Sequence, residues 1–407
     1  MNSLLIPLGG TVAAQTAAAM LTLSIPVVGP AITEMLGIAP ERVGLLTAAC
    51  SLGTVWFMTV SRLFLNRFGP VRSLQIGLAL GALALSSFAI SPWPLILLPA
   101  LLVGVGYAPN APASSVILAR ISTRRQTSFV FSIKQAAVPL GGAAAGVLVP
   151  FLLTRAGLEP ALAAVALLAL LVALCLQPLR RRFGETTDRT APFGPRALFR
   201  LGNIIDMARA VRGSPELRLL TATGIAFSVM QSVMFAFLVT YLVHGVGLAL
   251  AAAGLCFSAM AIAGVLGRLV TGWLASVFAR PRLTLAALGV SGFLMSLVMA
   301  SFDASWPLWA LVAACALAGF ATASWNGIYL GEIARAAPEG EVGRVTAGST
   351  FFVFTGYTCG PVVFGALVTL TGGYALPYVL AGLGILAAGV RLARSLEPAP
   401  PEAAASD

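Results

Sequence analysis

Apolar positions in this chain come in long unbroken blocks, separated by short polar connections. Blocks of the roughly 20 residues needed to cross a bilayer occupy about residues 10–33, 43–64, 72–91, 94–119, 127–153, 158–177, 217–243, 248–272, 283–302, 306–331, 345–370 and 374–393. Backbone N–H and C=O groups in lipid must be satisfied within the segment, so each block is expected to be a helix. A transmembrane β-barrel would instead show short alternating segments. The pattern predicts an all-α membrane protein of twelve transmembrane helices.

Composition agrees. Of the 407 residues, 58% are hydrophobic and 10% charged, against roughly 25% charged in a soluble domain. The chain lacks the polar surface that a soluble fold of its length requires. Met1-Asn2-Ser3 is no positive n-region, and the first block is too long for a signal core, which predicts a retained helix. Cys50, Cys175, Cys256, Cys315 and Cys359 all fall inside blocks, as small hydrophobes rather than a disulfide framework. Of the 25 Lys and Arg, only Arg42 and Arg155 lie in connections on one side. The positive-inside rule then places both termini and the central loop in the cytoplasm of a cell whose inner membrane holds the protein. The net charge of +11 is scattered over short loops, so it reports topology and not a nucleic-acid footprint.

The longest polar stretch, 178–216, separates two six-helix halves, 1–177 and 217–394, and a Pro-, Ala- and acid-rich tail, 395–407, is expected to be disordered. Leu198 to Leu217 mixes Arg with Leu, Ile and Met at helical spacing, which predicts an amphipathic surface helix. The halves read as repeats. Asn66-Arg67-Phe68-Gly69-Pro70-Val71-Arg72, after the second block, is answered by Ser276-Val277-Phe278-Ala279-Arg280-Pro281-Arg282 after the eighth. Pro139-Leu140-Gly141-Gly142 in the fifth is answered by Gly356, Gly360-Pro361 and Gly365 in the eleventh.

Over essentially its whole length the chain resembles the major facilitator superfamily. The second-to-third loop is similar to the family pattern Gly-x-x-x-Asp-Arg-x-Gly-Arg-Arg, with Arg62 for the leading Gly and Asn66 for the Asp. Gly356-Tyr357-Thr358-Cys359-Gly360-Pro361 is similar to the Gly-x-x-x-Gly-Pro helix signature. The resemblance implies two bundles rocking around a midplane cavity. That cavity would be lined by the first, fourth, seventh and tenth helices, and completed by the second, fifth, eighth and eleventh. It also implies that the loop latches the halves, which makes Asn66, Arg67, Gly69 and Arg72 gating residues, with Glu332, Arg344, Pro139 and Pro361 as further ones. Loss of the carboxylate at Asn66 removes the usual charge pair of that latch. Against any one Gly/Pro cluster stands ordinary close packing.

Candidate chemistry resides in polar residues within the blocks. Lys134 is the sole lysine beside 24 arginines. A charge within the bilayer ordinarily faces the protein interior or a water-filled path, although near a helix end it can snorkel to headgroups. Arg268, in Gly267-Arg268-Leu269-Val270-Thr271-Gly272, is similar to an arrangement in monocarboxylate transporters whose Arg binds the substrate carboxylate; packing or topology is the competing reading. Tyr107, Asn110 and Ser114 share one helical face, as do Thr322, Asn326 and Tyr329, with the two asparagines at comparable places in the halves. Gln15, Thr22, Gln135, Gln231 and Trp325 complete the set. Amides and phenols can hydrogen-bond a solute or simply bond helix to helix.

No acid sits clearly at mid-membrane: Glu34, Glu41, Glu159 and Asp303 are at one end, and Glu332, Glu339 and Glu341 at the other, where Glu332 with Arg335 and Glu341 with Arg344 are spaced for local pairs. One histidine, His244, and no nucleophile or metal cluster leave nothing to build an enzyme. The expected function is secondary transport of an organic anion such as a carboxylate. Efflux of hydrophobic or neutral compounds and a transport-inactive receptor or scaffold are the alternatives. Expected partners are a small-molecule solute and the bilayer, with protons as a candidate for symport beside exchange and uniport, no cofactor, no nucleic acid and no second subunit. If the site handles anions, Lys134→Ala abolishes uptake in proteoliposomes by a protein that still inserts; unchanged uptake would remove Lys134 from the site.

Overall fold

The computed structural model describes residues 2–121, 127–183, 208–278, 280–338 and 341–395. Its main helices are α1 (Asn2–Met35), α2 (Val43–Phe68), α3 (Pro70–Ser86), α4 (Leu97–Tyr107), α5 (Asn110–Ala119), α6 (Thr127–Ala156), α7 (Leu158–Cys175) and α8 (Gln177–Phe183) in the first half. The second half contributes α9 (Pro215–Thr240), α10 (Leu250–Val277), α11 (Pro281–Ala300), α12 (Leu308–Ala323), α13 (Asn326–Ala336), α14 (Val342–Thr371) and α15 (Ala375–Arg394). Among the described residues no strand occurs, and twelve helical stretches are long and apolar enough to cross a membrane. They match the twelve hydrophobic blocks; α4 with α5, and α12 with α13, are each one span broken in the middle. Half of the amphipathic helix expected over 198–217, residues 198–207, lies outside the described residues, as does the tail from 396; 208–212 are helical, and Pro215–Leu217 open the seventh span.

The spans pack as two related sets. The first packs on the fifth as the seventh does on the eleventh, the second on the fourth as the eighth on the tenth, and the third on the sixth as the ninth on the twelfth. Between the halves, the fifth meets the eighth and the eleventh meets the second. Advancing every member by six spans reproduces the arrangement, as a two-fold axis along the membrane normal requires. The register is specific: Gln15 and Gln231, Asn110 and Asn326, and the helix breaks after Tyr107 and after Ala323 all share an offset of 216 residues. Large apolar side chains such as Leu83, Leu174, Leu294 and Leu383 project outward from the third, sixth, ninth and twelfth spans. No water-soluble surface could carry such a belt; lipid accommodates it.

The turn between the second and third spans depends on Gly69, whose φ of 76° and ψ of 164° are close to a glycine-only conformation. Its N–H closes α2 on the Leu65 carbonyl at 2.8 Å, and Pro70 opens α3. Most arginines gather at this end of the bundle, the arginine-rich end; Arg42 and Arg155 mark the far end.

At the far end the halves touch closely. A Cβ on Gly254 of the eighth span would lie 2.2 Å from the Gly146 carbonyl oxygen of the fifth. A Cβ on Gly44 of the second would lie 2.5 Å from the Pro361 carbonyl oxygen of the eleventh. Hydrogen bonds accompany both crossings, from Ser258 Oγ to the Ala143 carbonyl and from Thr369 Oγ1 to Glu41 Oε1, each 2.9 Å. Backbone this close leaves no room for a side chain. Gly254→Leu is therefore expected to hold the far end open. A reporter cysteine at Thr47, in a background without the native cysteines, should then react with a bulky thiol reagent added from that side. Unchanged protection would show that this contact does not close the end.

Candidate functional site

Breaking a helix in mid-membrane releases backbone carbonyls that lipid cannot satisfy. Both broken spans bond carbonyls at or beside the break to side chains, some of them from neighbouring spans. In the fourth, Pro109 lacks an N–H and interrupts the ladder. There the Tyr107 carbonyl accepts from Asn110 Nδ2 at 2.8 Å, and two flanking carbonyls take a further donor from a neighbouring span: Gly104, already bonded to the Ala108 N–H at 3.1 Å, from Thr54 Oγ1 of the second at 3.1 Å, and Ala111, already bonded to Ser115 Oγ at 2.7 Å, from Lys134 Nζ of the fifth at 3.2 Å. In the tenth no proline is present; Ser324 Oγ bonds back to the Phe320 carbonyl, which competes with the helical ladder. The Ala323 carbonyl accepts from Arg268 Nε at 2.9 Å, and the Ser324 carbonyl from Thr271 Oγ1 at 3.3 Å, both from the eighth span. Each break thus has one cation and one hydroxyl from neighbouring spans at or beside it.

Around these breaks lies a cavity of about 430 Å³ between the halves. Its described lining comes from the first, second, fourth, fifth, seventh, eighth, tenth and eleventh spans, with none from the third, sixth, ninth or twelfth, the distribution that the family resemblance implies. Two amide nodes brace it at equivalent places. Gln15 Nε2 donates to Tyr107 Oη at 3.2 Å, joining the first and fourth spans. Gln231 Oε1 accepts from Trp325 Nε1 at 2.9 Å and from Asn326 Nδ2 at 3.2 Å, joining the seventh and tenth. Tyr329 bonds to Ser349 of the eleventh span, and Ser349 to Thr221 Oγ1 at 2.9 Å.

Of the residues singled out from the sequence, Thr22, Tyr107, Gln135, Gln231, Arg268, Trp325, Asn326, Tyr329 and Pro361 line the cavity together. Lys134 and Asn110 do not. Lys134 is 3% exposed and directed at the Ala111 backbone. Asn110 is fully buried; its Nδ2 donates to the Tyr107 carbonyl at 2.8 Å, while its Oδ1 has no hydrogen-bond partner among the described residues. Pro139 is buried in α6, beside the lining residue Val138. Tyr357, Thr54, Phe235 and Phe354 also line the cavity and were not singled out for binding by polar pattern. Tyr357 lies inside the Gly356-to-Pro361 motif, which draws attention to its glycines and not to the phenol between them.

Arg268 is the one Asp, Glu, Lys, Arg or His on the described lining. The phenols of Tyr107 and Tyr357 are near enough to act on it electrostatically. Apolar surface from Trp325, Phe235 and Phe354 completes the chamber, giving one positive end and an aromatic body.

The expected gating residues divide by half. Asn66 and Arg72 are exposed and Arg67 is half-buried at the arginine-rich end. The charge network among the described residues lies instead in the second half. There Arg282, opening α11, donates from Nε to Glu332 Oε2 at 2.8 Å and also pairs with Glu216 of α9, while Arg335 reaches the same Glu332 oxygen at 2.5 Å. Glu332 is 3% exposed and accepts from both guanidiniums; without its charge Arg282 would keep Glu216 alone and Arg335, 59% exposed, would turn to solvent. Arg344 pairs with Glu341 at 3.6 Å across a half-exposed surface, an interaction worth little.

The fold is thus a helical bundle in two equivalent halves, with a largely apolar chamber carrying one cation at the broken spans between them. The sequence matches the Major Facilitator Superfamily over residues 11–347 and 221–407, and the chain belongs to that superfamily. It is a multi-pass membrane transporter and not an enzyme. Similar solved structures share the fold at low identity. A peptide transporter in complex with sulfate is 15% identical over 95% of this chain and 94% of its own, with a TM-score of 0.74. The nucleoside transporter NupG is 13% identical over 96% and 100%, with a TM-score of 0.77. A transporter in complex with 5-aminolevulinic acid is 12% identical over 95% of both chains, with a TM-score of 0.73. No curated protein sequence matches the chain.

The Gln231 node yields an expected outcome. Gln231→Leu leaves the buried Trp325 indole N–H and the Asn326 amide without their acceptor, at about 1–3 kcal/mol per stranded group. The purified protein should melt lower. Gln231→Glu keeps the acceptor and should melt near wild type; equal melting of all three would show that the node bears no load.

Proposed function

We propose that the cavity carries an organic anion, a carboxylate in the first instance, by alternating access. The observation that supports this is Arg268: a guanidinium fixed through Nε to the Ala323 carbonyl, on a lining that holds no Asp or Glu among the described residues. Its remaining N–H groups suit a planar carboxylate, which they can bind in pairs. Tyr107, Tyr357 and Gln135 add neutral donors, and the aromatic residues take up an apolar body. Lys134 acts by positioning α5 through Ala111, not by touching the solute.

The remaining assignments rest on charge and packing. The arginine-rich end faces the cytoplasm of a bacterial inner membrane, with both termini there, by the positive-inside rule. Residues 1–177 and 217–394 move as the two bundles, with 178–216 as the connection. Pro361 and the Arg282–Glu332 network act in the gate, together with the turn at Asn66, Arg67, Gly69 and Arg72. Protons, a small-molecule solute and the bilayer are the partners proposed for a monomer. A second reading, a neutral hydrophobic cargo, is favoured by the Trp325, Phe235 and Phe354 surfaces.

A thermal-shift comparison separates the two, since a ligand that binds the native state raises its melting temperature. Aromatic monocarboxylates should stabilise wild type. Arg268→Gln should weaken their binding by roughly 10- to 100-fold, from the loss of charge-assisted hydrogen bonds, while leaving the matching amides unaffected. Stabilisation by the amides alone would favour the neutral cargo.

A further inference from the structure

Among the described residues the cavity holds a fixed positive charge with no acid on its lining. Among the described residues Arg268 has one hydrogen bond, from Nε to the neutral Ala323 carbonyl, so Nη1 and Nη2 are left for a ligand. The described acids stand elsewhere. Glu34, Glu41, Glu159 and Asp303 lie toward the far end, and Glu216, Glu332 and Glu341 lie at the arginine-rich end, each of these three paired with arginine. The other groups on the lining that can lose a proton are Cys50, Tyr107, Tyr329 and Tyr357, all neutral in ordinary solution. Nor can Arg268 readily leave for water: the eighth span is tied to the broken tenth at both Ala323 and Ser324.

Passage between the two open sides goes through a state closed to both. In that state a cavity without solute would cut an uncompensated guanidinium off from bulk water and counter-ions, whereas a bound anion supplies its counter-charge. We propose that this protein is an obligatory exchanger, moving one organic monoanion out for each one in, and that the empty carrier reorients too slowly to give net flux. The inference rests on the anion reading above and adds its coupling. One cation without an acid fits a single negative charge; a dianion would leave an excess. The chamber of about 430 Å³ with its aromatic surfaces gives space for the body of such a molecule.

The test uses the full chain in proteoliposomes at pH 8, corrected for protein-free vesicles, with radiolabelled lactate, benzoate, phenylacetate and benzenesulfonate. Uptake into vesicles preloaded with the same unlabelled anion should exceed uptake into anion-free vesicles by roughly 100-fold, the size expected for an unpaired buried charge. Benzenesulfonate, which stays ionised at this pH, should exchange as the carboxylates do. Equal uptake into loaded and empty vesicles would overturn the exchange. So would net entry of carboxylates, but not of the sulfonate, driven by an acid outside; that result marks proton-coupled entry. Failure of all four anions to bind in the melting assay overturns the anion reading itself, and the exchange with it. Gln231→Glu places a carboxylate on the lining while keeping its hydrogen bonds. It should raise efflux into anion-free buffer at least tenfold relative to exchange. An unchanged ratio, in a variant that melts as wild type, would overturn the proposal.

Discussion

The structure depends on how carbonyls released by a broken helix are satisfied where no water is available. An unsatisfied backbone group in hydrocarbon costs several kcal/mol, so the fourth and tenth spans can be interrupted only where side chains supply donors. Asn110 does so in one half, with Thr54 and Lys134 bracing carbonyls that flank the break; Thr271 and Arg268 do so in the other. Once the breaks are held, the residues beside them, Tyr107 and Ala108 on one side and Trp325 and Asn326 on the other, face a shared chamber. The polar lining is thus a by-product of a backbone requirement, and the cations that bear charge into the membrane are first of all structural donors.

The two halves answer the same problem and then diverge. The first half turns its cation into the wall, where Lys134 is buried against Ala111. The second brings its cation to the chamber, where Arg268 keeps part of its guanidinium open to a ligand. A similar divergence occurs at the arginine-rich end. The second-to-third loop has Asn66 where the family pattern has an acid, whereas the second half ties Arg282 to Glu332 and Glu216 and Arg335 to Glu332. Geometry has been kept by both halves; charge has been sorted between them.

The spans and their repeat were legible because length and hydropathy alone decide what can cross a bilayer, and the Asn110–Asn326 correspondence was visible for the same reason. The direction of a side chain around its helix was not. Lys134 and Gln135 are neighbours in sequence, yet one faces the wall and the other the chamber, a matter of about 100° of helical rotation and only about 1.5 Å of depth. Nor was the break at Ser324 legible, since it comes from a hydroxyl bonding back to Phe320 and no proline announces it. Arg282 read as one more topology-setting arginine until the fold brought Glu216 and Glu332, from two other helices, to meet it.

That the chain has a single lysine, and that its amine is enclosed beside the broken fourth span, has a practical side. An amine-selective acylating reagent meets one buried side-chain target in the whole protein, with the α-amino group as the other nucleophile of its kind. The extent of modification at Lys134 then reads how often the wall beside the chamber parts to admit a small electrophile. The protein carries in its own sequence a single-site clock for the breathing of its first half, with no label to be engineered.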